Sequence, residues 1–462
     1  MLTSDYSVLS SILLSQTADW NIKQFFNKNT ITSPFQLQKI GKALKRKKDQ
    51  MVVADEQKYK RITIRTNCNG VVVRDEVLGK YIKTKNQYYV RTGQLAVSKI
   101  DARNGAFGIV PPEADGAIIT GNFWVYDVDP KIANIEYLIL LLSSEVFVQA
   151  WQDCSNGSGN RLYLQENKFL DYKIPLPILS EQNKIVSDYY RIIEQANSHI
   201  AQSAKLEDDI EYFLIESLSL EKIPSQKSCS SSIITKTSFK SLVGWGAKLN
   251  SNPVKPQTLF KSANYTNVPI EYFCEINPKT DIPHEVSLVT FVPMECVSDI
   301  YGEIYEKRVG DLSQSKGYTL FKENDVIWAK ITPCMQNGKS AVAEKLSNGF
   351  GYGSTEFHVF RVNNNALPEY LHCFLRSKRL RNVATSYFTG GAGQQRVGTD
   401  FLKALTIPKI PIRSDNPDET TQEKIVKHIS EIKQQIKALH SDAKSLRERA
   451  KKEFEEAVFG EA

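Results

Sequence analysis

Two stretches of the chain place mostly apolar residues at alternating spacings of four and three. In the first these are Ile185, Tyr189, Ile192, Ala196, His199, Ser203, Leu206, Ile210 and Phe213. In the second they are Ile425, Ile429, Ile432, Ile436, Leu439, Ala443, Leu446 and Ala450. A heptad repeat gathers such residues on one stripe of a helix and specifies a left-handed helix–helix seam. The registers agree, since Ile425 follows Ile185 and Ala450 follows Ile210 by the same 240 positions. Equal register predicts that the two helices pair with each other; docking of each on its own globular part is the competing arrangement. His199 and Ser203 interrupt the first seam, and His199 reads as a packed seam residue rather than a ligand. Between Ile185 and Phe213 the helix rises roughly 40 Å. That is close to one turn of B-DNA, about 34–36 Å.

The segments before these helices also repeat. Ser98-Lys99-Ile100 matches Ala329-Lys330-Ile331, Asn104-Gly105 matches Asn337-Gly338, and Thr120–Tyr126 matches Ser354–Phe360. Glu136-Tyr137-Leu138 matches Glu369-Tyr370-Leu371, and Ile174-Pro175 matches Ile407-Pro408. The shared order predicts an internal duplication. Each copy begins with β-rich runs, Gln87–Lys99 and Tyr318–Lys330. Asn-Gly pairs at 69–70, 104–105, 337–338 and 348–349 predict tight turns. One amphipathic helix follows in each copy, about 134–152 and 367–383, then a Gly-rich loop, 156–161 and 390–396. A Pro-bounded exit leads into the long helix.

Composition narrows the class. The chain has 462 residues, enough for two or three domains. Hydrophobic residues make up 41% and charged residues 24%, which is globular usage, and the formal charge of +7 permits a polyanionic partner. Seven scattered cysteines form no C-x-x-C pair, so a zinc ribbon and a disulfide framework are not expected, and a reducing cytosol is. No apolar run has the length of a membrane span, and residues 8–14 lack the basic flank of a signal peptide.

Enzymatic motifs are missing. Gly338-Lys339-Ser340 resembles the end of a phosphate loop, but the earlier glycine is replaced by Pro333. Phe350-Gly351-Tyr352-Gly353 has no Asn-Pro-Pro-Tyr partner to hold a flipped base, the six histidines show no metal-ligand spacing, and no Gly-x-Ser-x-Gly elbow occurs. A non-catalytic chain with no bound metal is expected.

Candidate nucleic-acid contacts are polar residues at turn tips and in one basic run. Lys45, Arg46 and Lys47, flanked by Lys42 and Lys48, suit phosphate neutralisation. Lys99, Arg103 and Asn104 in one copy correspond to Lys330, Gln336, Asn337 and Lys339 in the other. The Gly-rich loops end in Arg161 and in Gln394, Gln395 and Arg396. Arginine suits guanine edges and glutamine adenine edges. Two related modules with different polar tips are what reading two different half-sequences needs.

The combination resembles the specificity subunits of Type I restriction–modification enzymes. The resemblance rests on the turns in which Lys-Ile is followed within a few residues by Asn-Gly, the Ser-Thr-Glu-Phe-His-Val-Phe-like strands and the Ile-Pro exits into Lys-Ile-Val helices. The stretch Asp325–Lys339 is especially similar, and about residues 34–220 and 262–462 are covered. The resemblance implies an α+β fold in which two target-recognition domains each read half of a split sequence in double-stranded DNA. Two antiparallel coiled-coil helices would set the spacing. It implies the partition 1–33 extension, 34–179 first recognition domain, 180–220 spacer helix, 221–260 linker, 261–412 second recognition domain and 413–462 spacer helix.

It further implies partners: two methyltransferase subunits and a restriction or translocase subunit. These would carry S-adenosylmethionine, ATP and Mg, none of them bound by this chain, in a prokaryotic cytoplasm. Two other readings stay open. One is a specificity-type subunit of a related methyltransferase or phage-defence complex without the nuclease, the other a coiled-coil interaction scaffold.

Overall fold

The structure is a computed structural model that describes residues 31–66, 69–158, 161–223, 254–391 and 394–460. The extension up to residue 30, most of the linker, Cys68 and Cys229 lie outside the described residues. Two compact units form. One takes in the described residues up to Asn197 and from Lys444 onward, the other Ser198 to Ala443.

In the first unit an antiparallel sheet runs in the order Leu44–Lys47, Phe123–Val128, Leu95–Ser98, Phe107–Ile109. Alternate strand residues face opposite sides. Leu95, Val97, Trp124 and Tyr126 therefore enter one core, while Ala96 and Val125 enter another. Burial on both sides explains the unbroken apolar runs. The first core is closed by α1 (Ile135–Leu142), α2 (Glu145–Asp153), α3 (Glu166–Asp171) and the start of α4 (Leu179–Ser217). The second core is covered by a five-stranded sheet, Gln50–Val52, Asn86–Tyr89, Ile118–Ile119, Lys58–Ile64, Val71–Leu78.

The second unit repeats this plan. Its common sheet runs Cys274–Ile276, Phe357–Val362, Val326–Ala329, Ser340–Val342. One face packs on α5 (Pro368–Arg376), α6 (Lys378–Ala384), α7 (Thr399–Lys403) and the start of α8 (Gln422–Phe459). The covering sheet differs. It has four strands, ordered Arg308–Asp311, Leu288–Val292, Phe350–Gly353, Thr319–Lys322. The duplication thus holds the scaffold constant and varies the outer sheet.

Buried polar residues repeat with the scaffold. Tyr137 donates to the Pro175 carbonyl and Tyr370 to the Pro408 carbonyl, both at 3.0 Å. Gln182 accepts from the Asn134 N–H and donates to the Ile132 and Pro177 carbonyls. Gln422 does the same with Leu367, Asn365 and Ile410. Each long helix is thereby tied at its start to its own globular core.

The expected single helices at 134–152 and 367–383 are each two. Ser144 and Ser377 take extended backbone angles, and their Oγ atoms donate at 2.9 Å to the Leu141 and Phe374 carbonyls. A serine that bonds local backbone competes with helix continuation. Ser377 also accepts from the Leu380 N–H and so opens α6. At the Gly-rich loops, Ser155–Ser158 pairs antiparallel with Arg161–Leu164 and Phe388–Thr389 with Arg396–Val397, while 159–160 and 392–393 lie outside the described residues. All four Asn-Gly glycines have positive φ, as their turns require.

The long helices run antiparallel within each unit. In the first, Tyr189 meets Phe454 and Arg447 donates to Asn197 Oδ1 at 3.2 Å. In the second, Ser203 Oγ lies 2.8 Å from His440 Nε2, and Phe213 packs on His428 with ring centroids 4.0 Å apart. Ile192, Ile425, Ile429, Ile432 and Ile436 are buried, and Ile185, Tyr189, Leu206, Ile210, Leu439 and Leu446 half-buried. Pairing and docking coexist, because Val186 and Phe454 belong to the first core and Ile425 and Ile429 to the second. Among the described residues no helix is long and apolar enough to cross a membrane.

Candidate nucleic-acid interface

The basic run forms the Leu44–Lys47 edge strand, so its side chains alternate between core and solvent. Lys45 and Lys47 are exposed, and Lys47 pairs with Asp127 at 2.9 Å. Arg46 turns inward. Its guanidinium bonds Glu166 at 2.9 Å and lies over the rings of Trp124 and Tyr126 at 5.5 and 5.3 Å. Glu166 also accepts from Tyr126 at 3.0 Å. This corrects the expectation that Arg46 is a phosphate ligand: its donor group is engaged within the fold, in a cation–π and ion-pair cluster.

Lys99 completes this corner, with Nζ 5.4 Å from the centre of the Trp124 ring. Burial lowers its pKa, and the charges of Arg46 and Lys48 push the same way. A crowded, partly desolvated ammonium of this kind gains from an incoming anion. The hairpin is fastened here, since the Leu164 N–H donates to the Lys99 carbonyl at 2.8 Å. Arg161 begins the second hairpin strand, paired with Ser158.

The other predicted tip of this unit lies elsewhere. Arg103 and Asn104 line a groove of about 860 Å³ together with Ser143, Val148, Tyr190 and Arg447. Lys45, Lys47 and Lys99 do not line it.

In the second unit the matched residues converge. The Val397 N–H donates to the Lys330 carbonyl at 3.0 Å and the Thr332 N–H to the Gln395 carbonyl at 3.0 Å. Gln395 and Arg396 therefore stand beside the 330–339 turn. Gln336, Asn337 and Gln394 are exposed, and Lys330 and Gln395 half-buried. Two candidates are engaged internally, against expectation. Arg396 makes a two-point ion pair with Glu356, at 2.6 and 2.8 Å, which lowers the Glu356 pKa. Lys339 donates to the Met294 carbonyl at 2.9 Å. Both brace the turn, as charge-assisted bonds do.

His358 and His372 are buried and serve the scaffold. His358 bonds Asn277 and the Val397 carbonyl, and His372 bonds Ser340. Among the described residues no group of His, Cys, Asp or Glu is placed to hold a metal ion.

Sequence reasoning missed a groove of about 540 Å³ on the five-stranded sheet, lined among others by Arg61, Arg74, Tyr81, Lys83 and Thr84. Lys58–Arg65 sets Lys58, Lys60, Arg61 and Arg65 among the buried Tyr59, Ile62 and Ile64, with a register shift after Arg61, and that signal marks a strand with basic residues on its outer side. Asp75 pairs with both Arg61 and Arg74, while Tyr81 is 68% exposed.

The scaffold and its turns have relatives. The specificity subunit of Type I restriction enzyme EcoEI from Escherichia coli is 33% identical over 159 residues, 34% of this chain and 26% of that protein. The specificity subunit of Type I restriction enzyme EcoAI, also from Escherichia coli, is 36% identical over 141 residues, 30% and 24% of the two chains. The chain thus spans about a quarter of the length of these curated relatives. A solved chain from work on the "structural basis underlying complex assembly and conformational transition of the type I R-M system" shares the fold. Its TM-score is 0.51 at 17% identity, over 92% of this chain and 98% of that one. The family model described as "Type I restriction modification DNA specificity domain" matches twice, over residues 31–212 and 264–445. Each copy carries one common sheet, one helix pair and one long helix, and the chain belongs to that family.

Proposed function

We propose that this chain is the non-catalytic specificity subunit of a Type I restriction–modification complex, and that each unit reads one half of a bipartite site in double-stranded DNA. The observation that carries this is the doubled specificity domain, with a constant scaffold under two different outer sheets. Reading two unrelated half-sequences needs constant positioning and variable readout.

In this reading Lys45, Lys47 and Lys99 hold phosphates of the first half-site, with Arg46 as their support. Gln336, Asn337, Gln394 and Gln395 present amides to bases of the second half-site, and Lys330 adds charge beside them. Arg103, Asn104 and Arg161 belong to the first unit's variable edge. The paired helices act as an antiparallel coiled-coil spacer and as the docking surface for two methyltransferase subunits. A restriction or translocase subunit joins through them, and S-adenosylmethionine, ATP and Mg bind those partners in a prokaryotic cytoplasm.

The test is base-resolution adenine methylation of a genome that carries a Type I methyltransferase subunit, with and without this chain. A bipartite motif that vanishes when the chain is deleted is the expected result. An unchanged pattern, with the methyltransferase shown to be active, contradicts the reading.

A further inference from the structure

The two copies differ sharply behind their matched Asn-Gly turns. Behind Gln336–Gly338 in the second unit stand two arginines. Arg376 donates to the Gly338 carbonyl at 2.9 Å and to the Asp299 carbonyl at 2.7 Å, with a further bond to Ile300. Arg381 donates to the Gln336 carbonyl, and its Nε bonds the Arg376 carbonyl at 3.0 Å. Gly338 has φ +84, and a Cβ there would stand 3.3 Å from the Arg381 guanidinium. The backbone carbonyls on either side of Asn337 are thus drawn inward, and the side chains of Gln336 and Asn337 are left exposed.

The first copy lacks this device. By the alignment that matches Asn104-Gly105 to Asn337-Gly338, the residues at the positions of Arg376 and Arg381 are Ser143 and Val148. Neither reaches a turn carbonyl as an arginine does. The space stays open as the groove of about 860 Å³ beside Arg103 and Asn104. Its counterpart in the second unit, walled by Arg376, Arg381, Glu207 and Glu211, encloses only about 70 Å³. The surroundings suit the arginines. Glu211 accepts from the first two N–H groups of α6 at 3.1 Å each, the Glu207 carboxylate faces both guanidinium groups, and the Glu211 carboxylate faces that of Arg381. Burial lowers the pKa of Arg376 to about 10, so it remains charged at neutral pH.

We propose that Arg376 and Arg381 are positioning residues that fix the Gln336–Gly338 turn for base reading, and that only the second half-site depends on such a clamp. This rests on the assignment of that turn to DNA. Two fixed carbonyls hold the direction of the intervening side chains, and small misplacements of a polar reader leave it unpaired against the right base.

The experiment uses the chain in complex with its methyltransferase subunit, and reads adenine methylation on a library of target sites randomised in both half-sites. R381A is expected to lose about tenfold discrimination in one half-site and none in the other, as a lost base contact does. R381K, which can reach one carbonyl, is expected to restore part of it. S143A and V148A in the first copy are expected to leave both half-sites unchanged. Q336A and N337A test the underlying reading. If they relax one half-site while R381A leaves both intact, the positioning role is wrong and the DNA assignment stands. If Q336A and N337A also leave both half-sites intact, the turn does not read DNA and the inference falls with that assignment. Should R381A fail to fold, R381Q, with one amide donor, is read in the same assay against the same outcomes.

Discussion

His372 is buried with its Nε2 2.9 Å from Ser340 Oγ, and burial, reinforced by the charges of Lys433 and Arg376, holds its pKa well below 6.5. His358 is lowered too, chiefly by burial. Above about pH 6.5 both the folded and unfolded chains carry these rings neutral. Below it the unfolded chain takes up protons that the folded chain refuses, so stability is complete at neutral pH and falls as the solution is acidified. Each ring costs about 1.4 kcal/mol per pH unit below that point until its folded pKa is reached. Urea unfolding at a series of pH values checks this, and H372Q, which keeps a bond to Ser340 but cannot titrate, is expected to flatten the slope by one histidine's share. Unequal outcomes for similar residues run through the candidate site as well. The basic run and the turn tips were legible as polar segments. Arg46, Arg396 and Lys339 could not be told from free ligands, because their partners Glu166, Glu356 and Met294 lie 120, 40 and 45 positions away. Arg376 and Arg381 carry no signal of their own in the sequence, because the turn carbonyls they hold lie about 40 positions earlier.

Element by element, the duplication and the long helices follow from spacing alone. The heptads of α4 and α8 are legible because residues such as Ile192, Ile432 and Ile436 are buried at heptad positions, with half-buried ones between them, and a strict period encodes that. Ile436 is 3% exposed in this seam and Leu439, three residues on, half-buried. I436A is therefore expected to cost about 3 kcal/mol of stability, the scale for an isoleucine cut to alanine in a core. L439A is expected to cost less than half of that. Urea unfolding followed by helix circular dichroism compares the two, and equal effects contradict a seam centred on Ile436. The breaks at Ser144 and Ser377 were not legible, since one serine in an amphipathic stretch usually faces solvent. Here its hydroxyl closes the first helix only because the chain turns to bury Phe147 and Leu380 in the cores. The outer sheets were illegible in order, because the pairings Arg61–Ile118 and Thr290–Gly351 are parallel and join strands about 60 residues apart.

At the scale of the whole molecule, each long helix passes from one unit to the other, α4 after Asn197 and α8 after Ala443. On either side of that border rising numbers on α4 meet falling numbers on α8: Tyr189 with Phe454, Asn197 with Arg447, Ser203 with His440 and Phe213 with His428. Seven residues inserted in both helices at these points keep the heptad phase and leave every one of those pairs in place. They add about 10.5 Å of helix, which is the rise of about three base pairs. If the helices are the spacer, the methylated motif should lengthen between its half-sites by one to three base pairs. Three base pairs also turn the second half-site by about a third of a helical turn, which is why the smaller change is included. Both half-sites should keep their sequences, because neither unit's scaffold is touched. Base-resolution methylation reads spacer and half-sites at once. A motif that keeps its spacer, in a complex that still methylates, assigns the spacing to something other than α4 and α8, while a changed half-site shows that the helices also shape the reading surface.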